Sequence, residues 1–518
     1  MAAETRRDHD EPLRGLSHFF QRVGGTDPHQ GIHISAIVEL GGVLDKVQIV
    51  ELIHDRVLSK CARLRSVVEK RGSCYAFKDL GPDWRPVQNV TVSDQPISCP
   101  EEALQTLISK QFQPGLPPWE FILCNQESKT ILMIRFHHSL LDGFSIVQVL
   151  DALTDPEDED PRWTPTMSTC DSESPSPRRS STILRKGKVS EEKANWFINS
   201  DLSVRETRSI DCMQSHHPDA KSDQMKARYV YCNGFAKSPY SVIKTVAAFT
   251  SRAIALVWLI IKQLFLGLRL AYNMLIFPLF PDSKTAFAPY CEIRGKNSVC
   301  ILPDISLSAL KAAAKSADPQ ATINDALLAV ICGAVLRYLK DEEKFPCHIS
   351  AGFTANLRDM RHWHQNRWPS AVGNRSIEFY CPIPGDKLSL SERIGRIAKY
   401  TRSLKEGPMC HIAPLILDLV EVLFDWMTDT WVAAIAGDRY RIARTFQLSN
   451  VPGPLTGRKI GEVPIVQLRA SVNLSQMFTC FSYRGIVRSV ASLDSQHVDP
   501  QRFKACFQEE ALELKELF

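Results

Sequence analysis

Two adjacent histidines, His137 and His138, stand at the end of a short apolar run, and an Asp-Gly pair begins four residues after the second. The run that ends at the histidines is bulky and partly β-branched, which is typical of a buried strand. After Gly143 the sequence becomes apolar again, in a pattern that fits a short helix or a mixed apolar segment. The spacing therefore places the histidines where a strand ends and the chain turns, and side chains at such a turn can reach a cleft.

Each of these residue types has a chemical use. A neutral imidazole can take a proton from an alcohol near neutral pH when it is held in one tautomer. Asp142 can pair with a cation or accept backbone N–H groups, while Gly143 can adopt a positive φ and leave room for a substrate. A single histidine in an apolar stretch is more often a buried core residue. The complete pattern of two histidines, an aspartate and a glycine favours chemistry over packing.

The stretch resembles the HHxxxDG signature of the acyl-CoA-dependent acyltransferases with the chloramphenicol acetyltransferase-like fold. Within that group, the sequence most resembles the wax ester synthase/diacylglycerol acyltransferase (WS/DGAT) family. The resemblance implies an α/β (α+β) fold of two chloramphenicol acetyltransferase-like lobes, each a mixed sheet covered by helices, with an interdomain channel. It also implies that His138 is the general base and that Asp142 is structural, held by an arginine away from the substrate.

Further matches to the family follow in the family's order along the chain. Ahead of the histidines, Trp119-Glu120 matches a Pro-Leu-Trp-Glu segment, although Pro118 stands where the leucine usually is. The alternative for Trp119 is a core aromatic side chain. The match favours a place for Trp119 near the site, and the alternative stays open.

A strong helix is predicted from Ala321 to Lys340, and its start matches the Thr-hydrophobe-Asn-Asp start of a family helix. Thr322 is a candidate N-cap, and Asp325 lies at the third helical position, near the positive end of the helix dipole. Capping explains both of these residues. It does not explain Asn324, which is therefore a candidate polar group near the cleft and a candidate donor to an oxyanion.

Three matches lie beyond this helix. Arg358 ends a predicted strand as part of a Leu-Arg pair and is a candidate cation for Asp142; a solvent-facing arginine is the alternative. Gly373-Asn374 precedes another predicted strand, as a Gly-Asn pair does in the family. The segment 449–454 closely matches the family's Asn-Val-Pro-Gly-Pro. Its Asn450 either donates a hydrogen bond into the cleft or forms an Asx turn.

Composition excludes several classes of protein. The chain has 518 residues, of which 44% are hydrophobic and 23% charged, as in ordinary globular proteins. A net charge of +4 is too small to indicate a nucleic-acid partner. Fifteen cysteines are scattered without CxxC pairs, which favours reduced thiols in a cytosol-facing protein, and no spacing indicates a metal site. The charged start lacks the apolar core of a secretory signal.

Composition also divides the chain into four parts. Residues 1–155 are predicted to form the N-terminal lobe with the HHxxxDG motif, and residues 286–518 the C-terminal WS/DGAT-like lobe. Residues 156–240 are acidic, then Ser/Pro-rich and basic, which is typical of a disordered linker. Residues 242–282 are predicted to form an amphipathic membrane-associated helix.

This predicted helix is the most lipophilic segment of the chain, but Arg252, Lys262 and Arg269 interrupt it. In helical geometry these cations and several other polar residues fall within an arc of roughly 120°. The rest of the circumference is almost wholly Trp, Phe, Leu, Ile and other apolar residues. A one-sided basic stripe is what an interfacial helix needs to lie at the headgroup level. A tilted membrane span and a helix packed against protein are the alternatives.

The residues and the resemblance together predict a membrane-associated O-acyltransferase. It would move a fatty acyl group from acyl-CoA to a long-chain alcohol, giving a wax ester, or to diacylglycerol, giving triacylglycerol, or to both. Acyl-CoA is then a co-substrate, and no cofactor is expected. The expected location is the endoplasmic reticulum or a lipid-droplet surface, facing the cytosol.

Two alternatives stay open. His137 and Asp142 also fit the HxxxxD spacing of the glycerolipid acyltransferases, although the later Phe-Pro-Glu-Gly segment of those enzymes is not found in the sequence. The second alternative is a non-catalytic lipid-binding membrane protein with the same fold. The complete set of His, Asp and Gly residues argues against it. The lack of a GxSxG segment argues against a serine hydrolase.

Overall fold

The computed structural model describes residues 11–23, 31–72, 74–157, 282–288, 297–341, 348–358, 372–384, 388–406, 409–434 and 444–517, with the single positions 250, 254, 257, 258 and 261. Almost all of the predicted linker and most of the predicted amphipathic helix lie outside the described residues.

The first large sheet contains the strand that ends at the histidine pair. From edge to edge its strands are β5 (Val90–Val92), β6 (Trp119–Gln126), β7 (Lys129–His137), β2 (His33–Leu40), β15 (Val463–Val472), β14 (Arg458–Ile460) and β8 (Asp155–Pro156). Neighbouring strands are antiparallel except for β5 and β6, which are parallel. The sheet is therefore mixed.

The second large sheet is built from the C-terminal part of the chain. Its strands are, in order, β10 (Ile305–Ser306), β17 (Ile486–Asp494), β16 (Met477–Tyr483), β13 (Phe446–Pro452), β11 (His348–Asn356) and β12 (Ser376–Pro384), with β9 (Asn297–Ile301) also paired to β17. β13 is parallel to both β11 and β16, and the other pairs are antiparallel. A smaller sheet joins β1 (Glu11–Pro12), β4 (Cys74–Asp79) and β3 (Ser66–Arg71).

Helices cover these sheets. The described helices are α1 (Gly15–Val23), α2 (Lys46–Leu52), α3 (Pro100–Ser109), α4 (Gly143–Leu153), α5 (Leu307–Ala317), α6 (Ile323–Tyr338), α7 (Leu390–Glu406), α8 (Met409–Trp426), α9 (Asp429–Ala434) and α10 (Pro500–Lys515). α2 continues into a π-helical turn, Ile53–Leu58. Within the described ranges, no helix is both long and apolar enough to cross a lipid bilayer.

β7 is an interior strand, paired with β6 on one side and β2 on the other. Its residues from Thr130 to His137 are buried, as the apolar run predicts. Arg135 is the charged exception and is fully buried. Its Nε lies 2.7 Å from Glu120 Oε1, and its Nη2 donates to the Gln111 carbonyl oxygen at 2.6 Å. These partners offset the cost of burying the guanidinium.

The helix predicted at 321–340 is confirmed as α6, with the predicted cap at its start. Asp325 N donates to Thr322 Oγ1, and Thr322 N donates to Asp325 Oδ2 at 2.8 Å, which forms a capping box. α6 packs against α5, α7 and α10, so that almost every one of its residues is buried. It forms the centre of the apolar core of the second lobe.

One strand ties the two lobes together. β15 comes from the last part of the chain, yet it pairs with β2 over seven residue pairs in the first sheet. A connection of four residues then leads to β16 in the second sheet. The predicted C-terminal lobe, residues 286–518, does not include this crossing into the first sheet. Two mixed sheets, each covered by helices, form the two lobes, which confirms the predicted fold class.

Candidate active site

The HHxxxDG segment forms the turn between β7 and α4. β7 ends at His137, and α4 begins at Gly143 with Asp142 as its N-cap. Asp142 Oδ1 accepts hydrogen bonds from Ser145 N and Ser145 Oγ, both at 3.0 Å. The short segment between strand and helix is therefore closed by a capped helix start, which fixes the position of His138.

Asp142 takes part in a buried ion pair with Arg358. Its Oδ2 lies 2.8 Å from Arg358 Nη1 and accepts a hydrogen bond from Arg375 N at 3.0 Å. Asp142 is 2% exposed. Arg358 is thus the cation that the resemblance assigns to Asp142, and both oxygens of the carboxylate are occupied by protein partners. Asp142 and Arg358 fasten the first lobe to the second.

His138 is partly exposed and lines a cavity between the lobes. Its Nδ1 lies 3.1 Å from Asn374 Oδ1, and the ring of Phe20 stacks on the imidazole with centroids 4.1 Å apart. Enclosure by protein lowers the pKa of His138 below the usual value, although the carboxylate of Asp142 acts in the opposite direction. A lowered pKa keeps the imidazole neutral near pH 7, as a general base requires.

The side chain of His137, which is also a predicted catalytic residue, lies in the protein interior. Its side chain is fully buried, and its Nδ1 lies 2.7 Å from Ser139 Oγ, which in turn donates to Gln21 Oε1 at 2.9 Å. The ring packs so closely on Gly31 that a Cβ there would come within 2.0 Å of Nε2. The structure does not place His137 on the wall of the cavity that His138 lines.

Gly143 is needed for packing between the lobes. A Cβ added to it would lie 2.8 Å from Cγ2 of Val451 on β13. Both residues line the cavity beside His138. The glycine therefore lets the start of α4 approach the second lobe.

The cavity is bounded by both large sheets, and its empty space of about 880 Å³ includes a part that is open to solvent. Most of its wall is apolar, with residues such as Ile34, Phe136, Leu150 and Met477. Five hydroxyl groups also line it: Ser35 from the first sheet, and Thr354, Ser376, Ser449 and Thr479 from the second. A mostly apolar wall with a few polar groups and one imidazole suits a ligand with a long hydrocarbon chain and one reactive polar centre.

Asn324 and Asn450 are brought together, but not at this cavity. Asn450 Nδ2 donates to Asn324 Oδ1, and Asn324 is exposed. Ser449 and Val451 line the cavity, and because side chains alternate along a strand, Asn450 between them points to the other face of β13. The role of either asparagine as an oxyanion donor stays a prediction.

Asp325 and Trp119 have structural contacts. Asp325 is 2% exposed, and its Oδ1 accepts a hydrogen bond from Thr401 Oγ1 at 2.7 Å. Trp119 is also 2% exposed, and its indole N–H donates to the Leu64 carbonyl oxygen. These contacts favour capping for Asp325 and the core for Trp119, which are the alternatives raised by the sequence.

Sequence reasoning misses the partners of His138. α1 supplies Phe20, which stacks on the imidazole, and Ser17, which accepts a hydrogen bond from Asn374, although no motif marks this helix. Asn374 stands in the Gly-Asn pair that matches the family, but its contact with His138 joins residues 236 positions apart. No local pattern carries that information.

Comparison with known proteins agrees with these observations. Residues 372–515 match the model of the WS/DGAT C-terminal domain. No curated protein sequence matches the chain. The structure is similar to the wax ester synthase/diacylglycerol acyltransferase from Marinobacter aquaeolei VT8, with a TM-score of 0.51 and 14% identity, covering 98% of this chain and 99% of that one.

Two other solved structures share the fold. Trichothecene 15-O-acetyltransferase from Fusarium sporotrichioides matches with a TM-score of 0.55 and 10% identity, over 98% of this chain and 95% of that one. The starter condensation domain of rhizomide synthetase in complex with C8-CoA matches with a TM-score of 0.51 and 10% identity, over 98% and 95%. The resemblance to the WS/DGAT family is confirmed over the matched C-terminal domain, and the solved structures show that the chain has the same fold.

Proposed function

We propose that this chain is a membrane-associated O-acyltransferase that transfers a fatty acyl group from acyl-CoA to a long-chain alcohol, to diacylglycerol or to both. The observation that carries the proposal is the imidazole of His138, which stands on the wall of an apolar cavity bounded by both lobes. The C-terminal family match and the acyl-CoA complex of a protein with the same fold support the choice of donor.

In this reaction His138 acts as the general base. Its Nε2 takes the proton of the acceptor hydroxyl while the hydroxyl oxygen forms a bond to the thioester carbonyl carbon. The carbon–sulfur bond then breaks, and the imidazolium returns the proton to the thiolate, so that the products are an ester and free CoA. A general base of this kind typically contributes about 10²–10⁴-fold to the rate.

The apolar wall of the cavity supports the proposed acceptor class. Apolar side chains from both sheets line it beside His138, and the hydroxyl groups of the second sheet are few. Burial of a hydrocarbon chain against such a wall is favourable by roughly 25 cal/mol per Å² of buried apolar area. A long-chain alcohol or a diacylglycerol fits this description.

Exposed apolar side chains support contact with a lipid surface. Five of the described positions in the predicted amphipathic helix are helical and exposed, and four of these are apolar and recur at helical spacing: Ile254, Val257, Trp258 and Ile261. An apolar stripe open to solvent is suited to a membrane interface. The endoplasmic reticulum and the lipid droplet are the proposed locations.

α8 carries a second stripe of this kind, which we call the α8 stripe: Leu415, Leu419, Val422, Leu423 and Trp426. These side chains are between 53% and 87% exposed and recur on one face of the helix. α8 packs against α1, where Asp425 Oδ1 accepts a hydrogen bond from Gly15 N at 3.0 Å. Phe20 of α1 stacks on His138. Lipid bound at the α8 stripe would therefore lie beside the helix that contacts the active-site histidine.

The test is an assay of the purified full chain with labelled palmitoyl-CoA and either hexadecanol or dioleoylglycerol. We expect labelled ester from the native chain and none above a heat-killed control from His138→Ala. We expect His137→Gln, compared at equal folded fraction, to keep activity. Activity that survives His138→Ala but not His137→Gln would overturn the assignment of the base. Lipid binding without any ester product would favour the non-catalytic protein.

A further inference from the structure

One amide side chain from the second lobe holds the imidazole of His138. Asn374 is 7% exposed and lies between Gly373 and the start of β12. Its Oδ1 is 3.1 Å from His138 Nδ1, and its Nδ2 is 2.8 Å from the carbonyl oxygen of the same histidine. Nδ2 also lies 3.1 Å from Ser17 Oγ of α1. The two ends of the amide thus contact the ring and the backbone of one residue.

The backbone contact decides which way the amide of Asn374 faces. A carbonyl oxygen only accepts hydrogen bonds, so the atom beside the His138 carbonyl must be the NH₂ group. The atom beside His138 Nδ1 is then the amide oxygen, which also only accepts. A neutral imidazole in this position therefore carries its hydrogen on Nδ1. The lone pair is left on Nε2, the atom that a general base at this position uses.

The backbone beside Asn374 is itself clamped by the residues that surround Asp142. The carbonyl oxygen of Gly373 accepts hydrogen bonds from Arg358 Nη2 at 2.7 Å and from Ser145 Oγ at 2.9 Å, and Gly373 N donates to Ser145 Oγ at 3.1 Å. Asp142 binds both Arg358 and Ser145. The aspartate of the HHxxxDG motif therefore acts on His138 through Gly373 and Asn374.

We propose that Asn374 is a positioning residue for the acyl transfer: it fixes the Nδ1–H tautomer of His138 and so presents Nε2 to the acceptor hydroxyl. This inference rests on the proposed function, because it assumes that His138 is the general base. Phe20 holds the ring from its face, and Asn374 holds it from its edge. The site is complete only when α1, the HHxxxDG turn and the second lobe are together.

The kinetic test compares Asn374→Ala and Asn374→Asp with the native chain over a range of pH. In Asn374→Ala the imidazole loses its side-chain acceptor and keeps only the backbone carbonyl oxygen of His138 itself, and we expect kcat to fall about 10- to 100-fold, within what a general base contributes, with KM changed less than about twofold. In Asn374→Asp a carboxylate replaces the amide oxygen, and the acid limb of the kcat/KM profile should move up by about 1–3 pH units. Activity of this variant should then recover at alkaline pH, while Asn374→Ala should not recover.

A matched control separates positioning from folding. Asn89 is also buried, at 2% exposed, and its Nδ2 donates to the Pro117 carbonyl oxygen at 2.9 Å, away from His138. Asn89→Ala should lower the melting temperature and leave kcat and the pH profile of the folded protein unchanged. Native kcat in folded Asn374→Ala, or a change in KM alone, would overturn the proposal.

The tautomer of His138 can also be measured by NMR, which tests the inference without an activity assay. In protein labelled with ¹⁵N-histidine, the ring shifts of His138, identified by their loss in His138→Gln, report which nitrogen carries the hydrogen. We expect the Nδ1–H form in the native chain and a mixture of tautomers in Asn374→Ala. An unchanged tautomer in Asn374→Ala would overturn the inference. Absence of ester from the native chain, with the expected tautomer change present, would instead count against the proposed function alone.

Discussion

The histidine and the aspartate of the HHxxxDG motif have different roles. Both line the cavity, but the carboxylate oxygens of Asp142 are bound by Arg358 and by the start of α4, whereas the imidazole of His138 is the titratable group left to react. A buried carboxylate is stable when it is paired and hydrogen-bonded. Asp142 therefore serves the site through geometry, because it holds the helix start and the second lobe in register with the histidine.

The glycine of the motif, Gly143, leads to a prediction about packing between the lobes. Gly143→Ala places a Cβ 2.8 Å from Val451 Cγ2, which is closer than carbon atoms normally approach. We expect a loss of about 1–3 kcal/mol of stability, as is typical of overpacking, together with reduced activity. Thermal unfolding and the acyl transfer assay measure the two effects.

The matched controls for Gly143→Ala come from the same chain. The double variant Gly143→Ala/Val451→Ala should recover most of the stability because the second change removes the clashing methyl group. Gly395→Ala in α7 meets nothing within 4 Å and should be neutral or stabilising. A folded, fully active Gly143→Ala protein would contradict the close approach.

A second buried histidine makes stability depend on pH. Burial, and to a lesser degree the charge of Arg135, lower the pKa of His33 from 6.5 to about 4. The unfolded chain therefore binds a proton below pH 6.5 that the folded chain does not bind until about pH 4. Stability due to this group is fully present above pH 6.5 and is lost as pH falls, by about 3 kcal/mol in total.

His33→Gln tests this linkage. The variant has no ionisable group at this position, so its melting temperature should fall less than that of the native chain between pH 6.5 and about pH 4. Scanning fluorimetry across this range measures the difference. Parallel curves for the two proteins would contradict the lowered pKa.

At the scale of elements, α1 and α8 form a unit over the active site. α8 packs on α1. α1 contacts both α8 and the active-site histidine: His18 Nδ1 lies 3.0 Å from Asp425 Oδ1 of α8, and Phe20 stacks on His138. A surface that binds the outer face of α8 would therefore lie close to the reacting group.

The α8 stripe gives the prediction for this unit. Leu419→Glu/Leu423→Glu places two carboxylates among exposed leucines, and charge opposes entry into the apolar part of a membrane. We expect the double variant to co-float less with phosphatidylcholine vesicles than the native chain does. Activity on vesicle-borne dioleoylglycerol should fall more than activity on detergent-dispersed acceptor.

The control for the α8 stripe is a leucine on another helix. Leu512 of α10 is 50% exposed, and Leu512→Glu should leave flotation unchanged. Equal flotation of the native chain and the α8 double variant would remove α8 from the proposed membrane surface.

At the scale of the whole molecule, the chain crosses between its lobes. β15 pairs with β2 and β14 pairs with β8, so that strands after residue 457 complete a sheet begun near residue 33. Arg358 and Asp142 add an ion pair between the lobes, 7% and 4% exposed in their side chains. Because the contacts between the two parts include backbone pairing, covalent continuity between residues 158 and 249 is not needed to hold them together.

Cleavage tests this arrangement. A protease site inserted between residues 160 and 240 and cut after purification should give two fragments that co-elute in size-exclusion chromatography without denaturant. They should separate in urea. Fragments that separate under native conditions would contradict the strand pairing of β15 with β2.

Much of the site could be predicted from the sequence because its signals are local. The apolar run of β7, the cap at Asp142 and the box at Thr322 each depend on residues within a few positions of one another, so the pattern alone predicts them. The spacing of HHxxxDG also pointed to a strand followed by a turn. The resemblance added the expectation that an arginine holds Asp142, and Arg358 is there.

The tertiary structure decided which histidine faces the cavity and what holds it. His137 and His138 are adjacent, and only the packing of Gly31, Phe20 and Asn374 around them assigns one to the core and the other to the cavity. The two partners of His138, Phe20 and Asn374, lie 118 and 236 positions from it in the sequence. Sequence spacing specifies local geometry, whereas contacts at such separation follow from how two sheets and their helices dock, which no short pattern encodes.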